Sequence, residues 1–216
     1  EADTFPWCPD LEFRRAVVKP ELWESLQVED YVQARYQQSL AEMPALPGEA
    51  LWERRRREVG WLSLNWFMST LLDRKDRMSM AAGLEVRVPF CDHHLVEYVW
   101  NIPWAMKAMN GQRKQVLRDA AEGLLPEELL RRPKSPYPKT HDPLYEQLVR
   151  ARLLTILDDR DAPIHSLVDE KALRAGLLSD AGDYGKPWFG QLMAGPQMLA
   201  YLIQINEWMS RYHLTV

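Results

Sequence analysis

Apolar positions recur at helical spacing through most of the chain, and no run alternates at period two long enough to make a convincing strand. The opening stretch, Thr4 to Leu22, carries Pro6, Pro9 and Pro20 and reads as a linker with short helical pieces. Val28 to Met43 places Tyr31, Ala34, Arg35 and Gln38 at helical spacing and is closed by Pro44 and Pro47. The longest helical pattern runs from Glu49 to about Lys75. Val59, Leu62, Trp66, Thr70 and Leu71 fall on one stripe there, with Arg54 to Arg57 on the wet turns. Its Gly60 costs about 1 kcal/mol relative to alanine, which a buried helix absorbs.

A short helix from Asp76 to Ala82 is stopped by Gly83, since glycine takes the left-handed conformation without steric strain. Leu84 to Phe90 is extended, because Pro89 biases its predecessor away from helix. Short helices follow over Asp92 to Asn101, with Asp92 as N-cap, over Arg113 to Gly123, and over Glu127 to Arg132. Pro133 to Pro143 holds four prolines in eleven residues and reads as an irregular loop of the sort that often carries function. Leu144 to Leu157 and Asp169 to Leu178 are helical by periodicity, and a polar loop, Ser179 to Pro187, precedes the last helix. There Gly195 and Pro196 form a cap and first-turn pair, and Met198, Leu202, Ile205, Met209 and Tyr212 form an apolar stripe. The domain reading is a linker over residues 1–27 and a helical body over residues 28–216.

Composition narrows the function classes. The 216 residues are 46% hydrophobic and include nine tryptophans, ample for a compact domain or a substantial piece of a larger one. With 27 basic and 31 acidic residues the net charge is −4, and the only basic run is Arg54 to Arg57, so neither nucleic acid nor an anionic membrane is an expected partner. Cys8 and Cys91 are far apart, without local partners for metal or redox work, which fits a reduced cytoplasmic protein. No apolar run reaches membrane-spanning length and no signal-peptide layout is present. The chain begins with Glu1 rather than methionine, and a fragment is the expectation.

Most catalytic templates fail. The ten glycines are dispersed, without a phosphate-cradling or dinucleotide fingerprint. His93 and His94 are adjacent, are expected to point in different directions on a helix, and so do not make a metal pair; no metal site is expected. No nucleophile elbow occurs, and neither cysteine has a local basic partner. Two stretches stand out. In Leu72 to Asp92, Asp73 with Arg77 and Asp76 with Met80 are i,i+4 pairs, while Glu85 and Arg87 share one face of an extended segment. A buried ion-pair lattice locking two helices is one reading of these charges, and a functional site is the other. In Arg131 to His141, a lysine in a proline-rigid loop beside Tyr137 can be aimed at a phosphate at low entropic cost, the alternative being a solvated basic loop.

The pattern D-R-x-S-M-A-x-G-L-E-V-R-V-P-F-x-D, from Asp76 to Asp92, strongly resembles the signature of the synthetase domain of class B, glutamine-hydrolysing asparagine synthetases. The likeness continues through Gly111, Lys114 to Arg118, Leu125-Pro126 and Arg132-Pro133-Lys134-Ser135, and covers Leu71 to Pro143 closely. It implies a mainly α fold: the helical C-terminal portion of an ATP-pyrophosphatase-type, adenine nucleotide alpha-hydrolase-like synthetase domain, lacking its parallel α/β sheet. The enzymes it resembles are amidotransferase-type ligases that form β-aspartyl-AMP and let glutamine-derived ammonia attack it. Their partners are aspartate, ATP with Mg2+, and glutamine, and a homodimer is compatible with the reading. The glutaminase domain, and the Ser-Gly-Gly-x-Asp-Ser and Ser-Gly-Glu-Gly-x-Asp-Glu loops that the resemblance implies for the sheet region, have no counterpart in this sequence, so no cofactor is expected in this chain and activity of the chain alone is not.

By the same resemblance Lys134 is the lysine that contacts the phosphates and stabilises the adenylation transition state. Arg77, Glu85 and Arg87 match charged positions close to the synthetase site. The rival readings are a same-scaffold ligase acting on another carboxylate, of the β-lactam synthetase kind, and a helical interaction module without chemistry. Trp52, Trp61 and Trp188 are the aromatic residues expected to cover a surface of the absent sheet.

Overall fold

The computed structural model describes residues 4–8, 10–108, 111–133, 142–178, 188 and 195–216. Helices follow in the order α1 (Glu12–Arg15), α2 (Pro20–Ser25), α3 (Val28–Ala41), α4 (Leu51–Leu62), a π-helical turn (Ser63–Met68), α5 (Ser69–Ala81), α6 (His93–Trp100), α7 (Trp104–Lys107), α8 (Gln115–Ala120), α9 (Glu127–Arg131), α10 (Pro143–Asp158), α11 (Glu170–Ala175) and α12 (Pro196–Tyr212). No strand occurs among the described residues, as the periodicity predicts. Among the described residues an isolated β-bridge joins Val18 and Val168. The chain divides into two compact units, Glu1–Pro44 with Pro138–Val216, and Ala45–Tyr137.

The first unit has a closed apolar core. Leu153 on α10 and Met198 and Leu199 on α12 are fully buried, joined by Ile164, Leu173 and Leu202. Burying each such side chain contributes roughly 2 kcal/mol. α10 starts where Asp142 accepts a hydrogen bond from the Leu144 N–H at 2.9 Å, with Pro143 pre-set at the first helical position. Gly195 takes φ +64° to start α12 before Pro196, as expected for that pair. The buried face of α12 is Met198, Leu199, Leu202, Asn206 and Met209. Tyr212, expected on the stripe, is exposed at the last turn, and Ile205 is only half-buried. Asn206 is buried because its Oδ1 accepts the Ile164 N–H at 3.3 Å, satisfying a backbone donor that would otherwise be lost to solvent. Trp188 is 5% exposed and belongs to this core, which corrects the expectation that it covers a surface of an absent sheet.

In the second unit the helical run is continuous from Leu51 to Ala81, where two helices divided near Lys75 are expected, and it contains the π-helical turn. Ser63 Oγ and Asn65 Nδ2 donate to the carbonyls of Val59 and Trp61, and Ser69 Oγ reaches five residues back to Leu64 O at 3.2 Å, so side chains bond carbonyls along the widened segment. The wider turn rotates everything after it about the helix axis. The expected stripe is not buried as one face: Leu62 is buried, but Val59, one turn before the π turn, and Trp66 within it are exposed. The arginine run is also not uniformly wet, because Arg57 is 11% exposed and holds Glu49, 6% exposed, at 2.8 Å. Glu58 is likewise buried, against Arg54 and Arg55.

Because Met198 is fully enclosed, Met198→Ala should lower the free energy of unfolding by about 2–5 kcal/mol. Chemical denaturation followed by circular dichroism reads this directly, and a loss near zero would contradict the enclosed core.

Candidate functional site

The segment singled out in the sequence joins α5 to α6 through a defined stop and a defined start. Gly83, at φ +69°, lets its N–H reach Met80 O and the Leu84 N–H reach Ser79 O, both at 2.9 Å, which is the Schellman way of satisfying the last carbonyls. No atom lies within 4 Å of the position a Cβ would take at Gly83, so the backbone angle alone favours glycine there. An irregular stretch from Leu84 leads to Pro89–Cys91, a 3-10 turn. Asp92 Oδ1 then accepts the N–H groups of His94 and Leu95, at 2.9 and 3.4 Å, and starts α6. Cys91 Sγ rests 3.3 Å from Met68 Sδ of the π turn.

Arg77 Nε pairs with Asp73 at 2.8 Å along α5, and Arg87 Nη2 pairs with Glu85 at 2.8 Å. Both pairs are those the spacing predicts. Neither is buried: Arg77 and Arg87 side chains are 78% and 83% exposed, so these charges do not form an interior lattice locking two helices. They stand as surface charges on either side of the Gly83 stop. Lys134 and the rest of the loop 134–141 lie outside the described residues, as does the polar loop expected over 179–187.

Two local expectations are corrected. The His93 and His94 rings do not diverge but lie with centroids 3.8 Å apart at the start of α6. Among the described residues no group of three or more His, Cys, Asp or Glu could hold a metal ion. Cys8 has a basic neighbour after all, since the Arg14 guanidinium donates to its sulfur and to the carbonyl of Trp188.

Sequence reasoning misses a second feature of this unit. A groove of about 540 Å³ runs between the α4–α5 segment and α6–α7, walled by Leu64, Phe67, Leu71, Leu95, Val96 and Val99. Arg57, Trp100, Trp104 and Lys107 also line it. The Arg57 guanidinium lies 5.4 Å from the Trp100 ring centroid, and Lys107 Nζ lies 5.2 Å from that of Trp104 while donating to Trp100 O at 3.2 Å. Partial burial and, after it, the nearby Arg57 charge push the Lys107 pKa below the usual lysine value. The tryptophan content and the Arg54 to Arg57 run hint at such stacking, but only the fold brings residues some fifty positions apart together.

The Glu85–Arg87 and Asp73–Arg77 pairs are exposed, so Glu85→Gln and Arg77→Ala should move the melting midpoint by less than about 2 °C. Differential scanning calorimetry checks this, and a drop above 5 °C would mean that the charges are structural.

Residues 1–210 match the family model described as asparagine synthase. The chain is 48% identical over 212 residues to the glutamine-hydrolysing asparagine synthetase 3 of Bacillus subtilis (strain 168), a match covering 98% of this chain and 34% of that protein. It is also 42% identical over 73 residues to asparagine synthetase 1 of the same organism, covering 34% of this chain and 12% of that protein. The human glutamine-hydrolysing enzyme matches at 43% over 67 residues, covering 30% of this chain and 12% of that protein. The chain thus spans about a third of the length of the first of these relatives.

Proposed function

The chain belongs to the asparagine synthase family, and on that footing we propose that it forms the helical part of a ligase converting aspartate, ATP and glutamine to asparagine, AMP, pyrophosphate and glutamate. The observation that carries the reading is the 48% identity over 98% of the chain to a glutamine-hydrolysing synthetase. No helix among the described residues is long and apolar enough to cross a membrane, and the cytoplasm is the compartment in which we place the reaction.

The chemistry has two displacements. A β-carboxylate oxygen of aspartate attacks the α-phosphorus of ATP, and pyrophosphate leaves with the bonding electrons. Ammonia then attacks the acyl carbon of β-aspartyl-AMP, AMP leaves, and the amide nitrogen sheds its extra proton. In the first displacement negative charge grows on the oxygens around the α-phosphorus, and a fixed cation stabilises that charge more than the ground state. Lys134 is the residue of this chain assigned to that role. Arg77 and Arg87 are exposed guanidiniums, each with a carboxylate at 2.8 Å, and such pairing lowers the entropy lost when a phosphate or carboxylate binds. We place them, with Glu85, beside the nucleotide and aspartate as positioning groups.

Mg2+ commonly reaches such enzymes on the phosphates of the nucleotide. The described residues supply no set of three ligands for a resident metal, so this part of the chain does not fit one and no step is assigned to it. The 216-residue chain alone is expected to make no asparagine from ATP.

In the full-length polypeptide, Lys134→Ala should lower kcat for pyrophosphate release by about 10²–10³-fold with a smaller change in the KM for aspartate, and Lys134→Arg should recover part of the loss. Steady-state assay of pyrophosphate reads both. A kcat within twofold of the unsubstituted enzyme would remove Lys134 from the mechanism.

A further inference from the structure

Carboxylates of Asp158, Asp159 and Asp161 gather at the C-terminal end of α10. The last carbonyls of a helix already place negative partial charge there, so acidic side chains at that end cost stability unless a cation answers them. Asp158 is answered by Arg174 at 2.7 Å. Asp159 and Asp161 have no basic group within ion-pair distance among the described residues. The nearby His165 ring is turned instead to the Asp159 main-chain carbonyl, at 3.0 Å, and to Glu170. Asp159 Oδ1 accepts the Asp161 N–H at 3.1 Å, which brings no positive charge.

Both unanswered carboxylates line a cavity of about 290 Å³ in the first unit. Residues of the last turns of α10, of the turn 159–163 and of the second half of α12 form it, with the buried Ile156 and Ala162 among its walls. Asn206 on α12 is 6% exposed, and its Oδ1 is committed to the Ile164 N–H. Its Nδ2 has no acceptor among the described residues, a costly state for a side chain so deeply buried. On the α10 side, Arg152 gives Nη2 to Glu207 at 2.7 Å, and its remaining guanidinium N–H groups have no partner among the described residues. One small cavity thus joins two carboxylates short of a cation to an amide and a guanidinium short of an acceptor.

Each simpler occupant meets half of that demand. Water satisfies Nδ2 and leaves both carboxylates without a counter-charge. A metal ion is not held, because no group of three ligands stands ready among the described residues. A plain amine leaves Asn206 and Arg152 without an acceptor, and a plain carboxylic acid meets Asp159 and Asp161 with like charge. We propose that the cavity binds a free α-amino acid, with its ammonium on Asp159 and Asp161 and its carboxylate on Asn206 Nδ2 and Arg152. The Ser210 hydroxyl, also in the lining, is a further donor for that carboxylate. The volume lies at the small end of ligand pockets, in keeping with a ligand of this size. α10 and α12 pack on each other beneath it, so the groups are preorganised, and a bound amino acid stabilises the first unit by mass action.

The test titrates the 216-residue chain by calorimetry with each free proteinogenic amino acid, then with the N-acetyl and α-amide forms of any that binds. The proposal expects at least one Kd below about 1 mM, with both blocked forms weaker by more than about tenfold. Asp161→Asn, at an exposed position, and Asn206→Asp, which keeps the acceptor for Ile164 and removes the donor, should each weaken binding by more than about tenfold. Arg152→Gln replaces Asn206→Asp if the latter does not melt like the parent. No binding by any amino acid up to about 10 mM overturns the proposal. Binding that survives Asp161→Asn overturns it too, since the ligand then sits elsewhere, and so does a blocked form that binds as tightly as the free amino acid. Because the readout is binding rather than turnover, loss of the Lys134 assignment or of the family reading would not alter it.

Discussion

The seam between α10 and α12 is what the rest of the first unit is built on, because Leu153, Met198 and Leu199 lose all their solvent exposure there. Helices of this length are marginal alone, and an apolar face packed on a neighbour supplies most of their stability. Everything around the seam is tied to it at short range. Ile164 docks through Asn206, the Val18–Val168 bridge carries the N-terminal stretch, and the Lys19 N–H reaches Leu167 O at 2.9 Å. Arg174 donates hydrogen bonds to Glu170 and to Asp158, which raise its pKa above the usual value in that order, and so fastens α11 to the end of α10.

Residues 45–133 are organised by other means. Their order comes from helix caps, the Schellman stop at Gly83, i,i+4 ion pairs and cations stacked on indoles, each worth little. Local devices of this kind set the shape of a helix and where it ends, but they supply little of the apolar burial that makes a unit cooperative. The consequence is that large apolar side chains such as Leu84, Phe90 and Leu124 stay exposed in this stretch.

What was legible in the sequence is what depends on neighbours along the chain. Gly83, the Asp92 cap, the Gly195–Pro196 start and the Asp73–Arg77 pair all follow from spacing of four residues or fewer, and the structure shows each of them. The π turn, the Arg57–Glu49 pair eight residues apart and the Arg14–Cys8 contact six apart fall outside three- and four-residue helical spacing, and the place of Trp188 in the core depends on packing between distant positions. Period counting cannot reach those, because it reads only the face that successive turns of one regular helix present. The candidate site was legible as a motif rather than as geometry: the Asp76–Asp92 pattern marks the family, while exposure of its charges appears only in the fold.

Hydrogen exchange on the 216-residue chain, resolved by peptide, tests the central claim that the closed apolar core belongs to the first unit and that residues 45–133 hold none of comparable size. Slow exchange confined to α10 and the buried turns of α12, with residues 45–133 exchanging many-fold faster, is the predicted result. Equal protection across both units would contradict it, since residues 45–133 would then hold a core of their own.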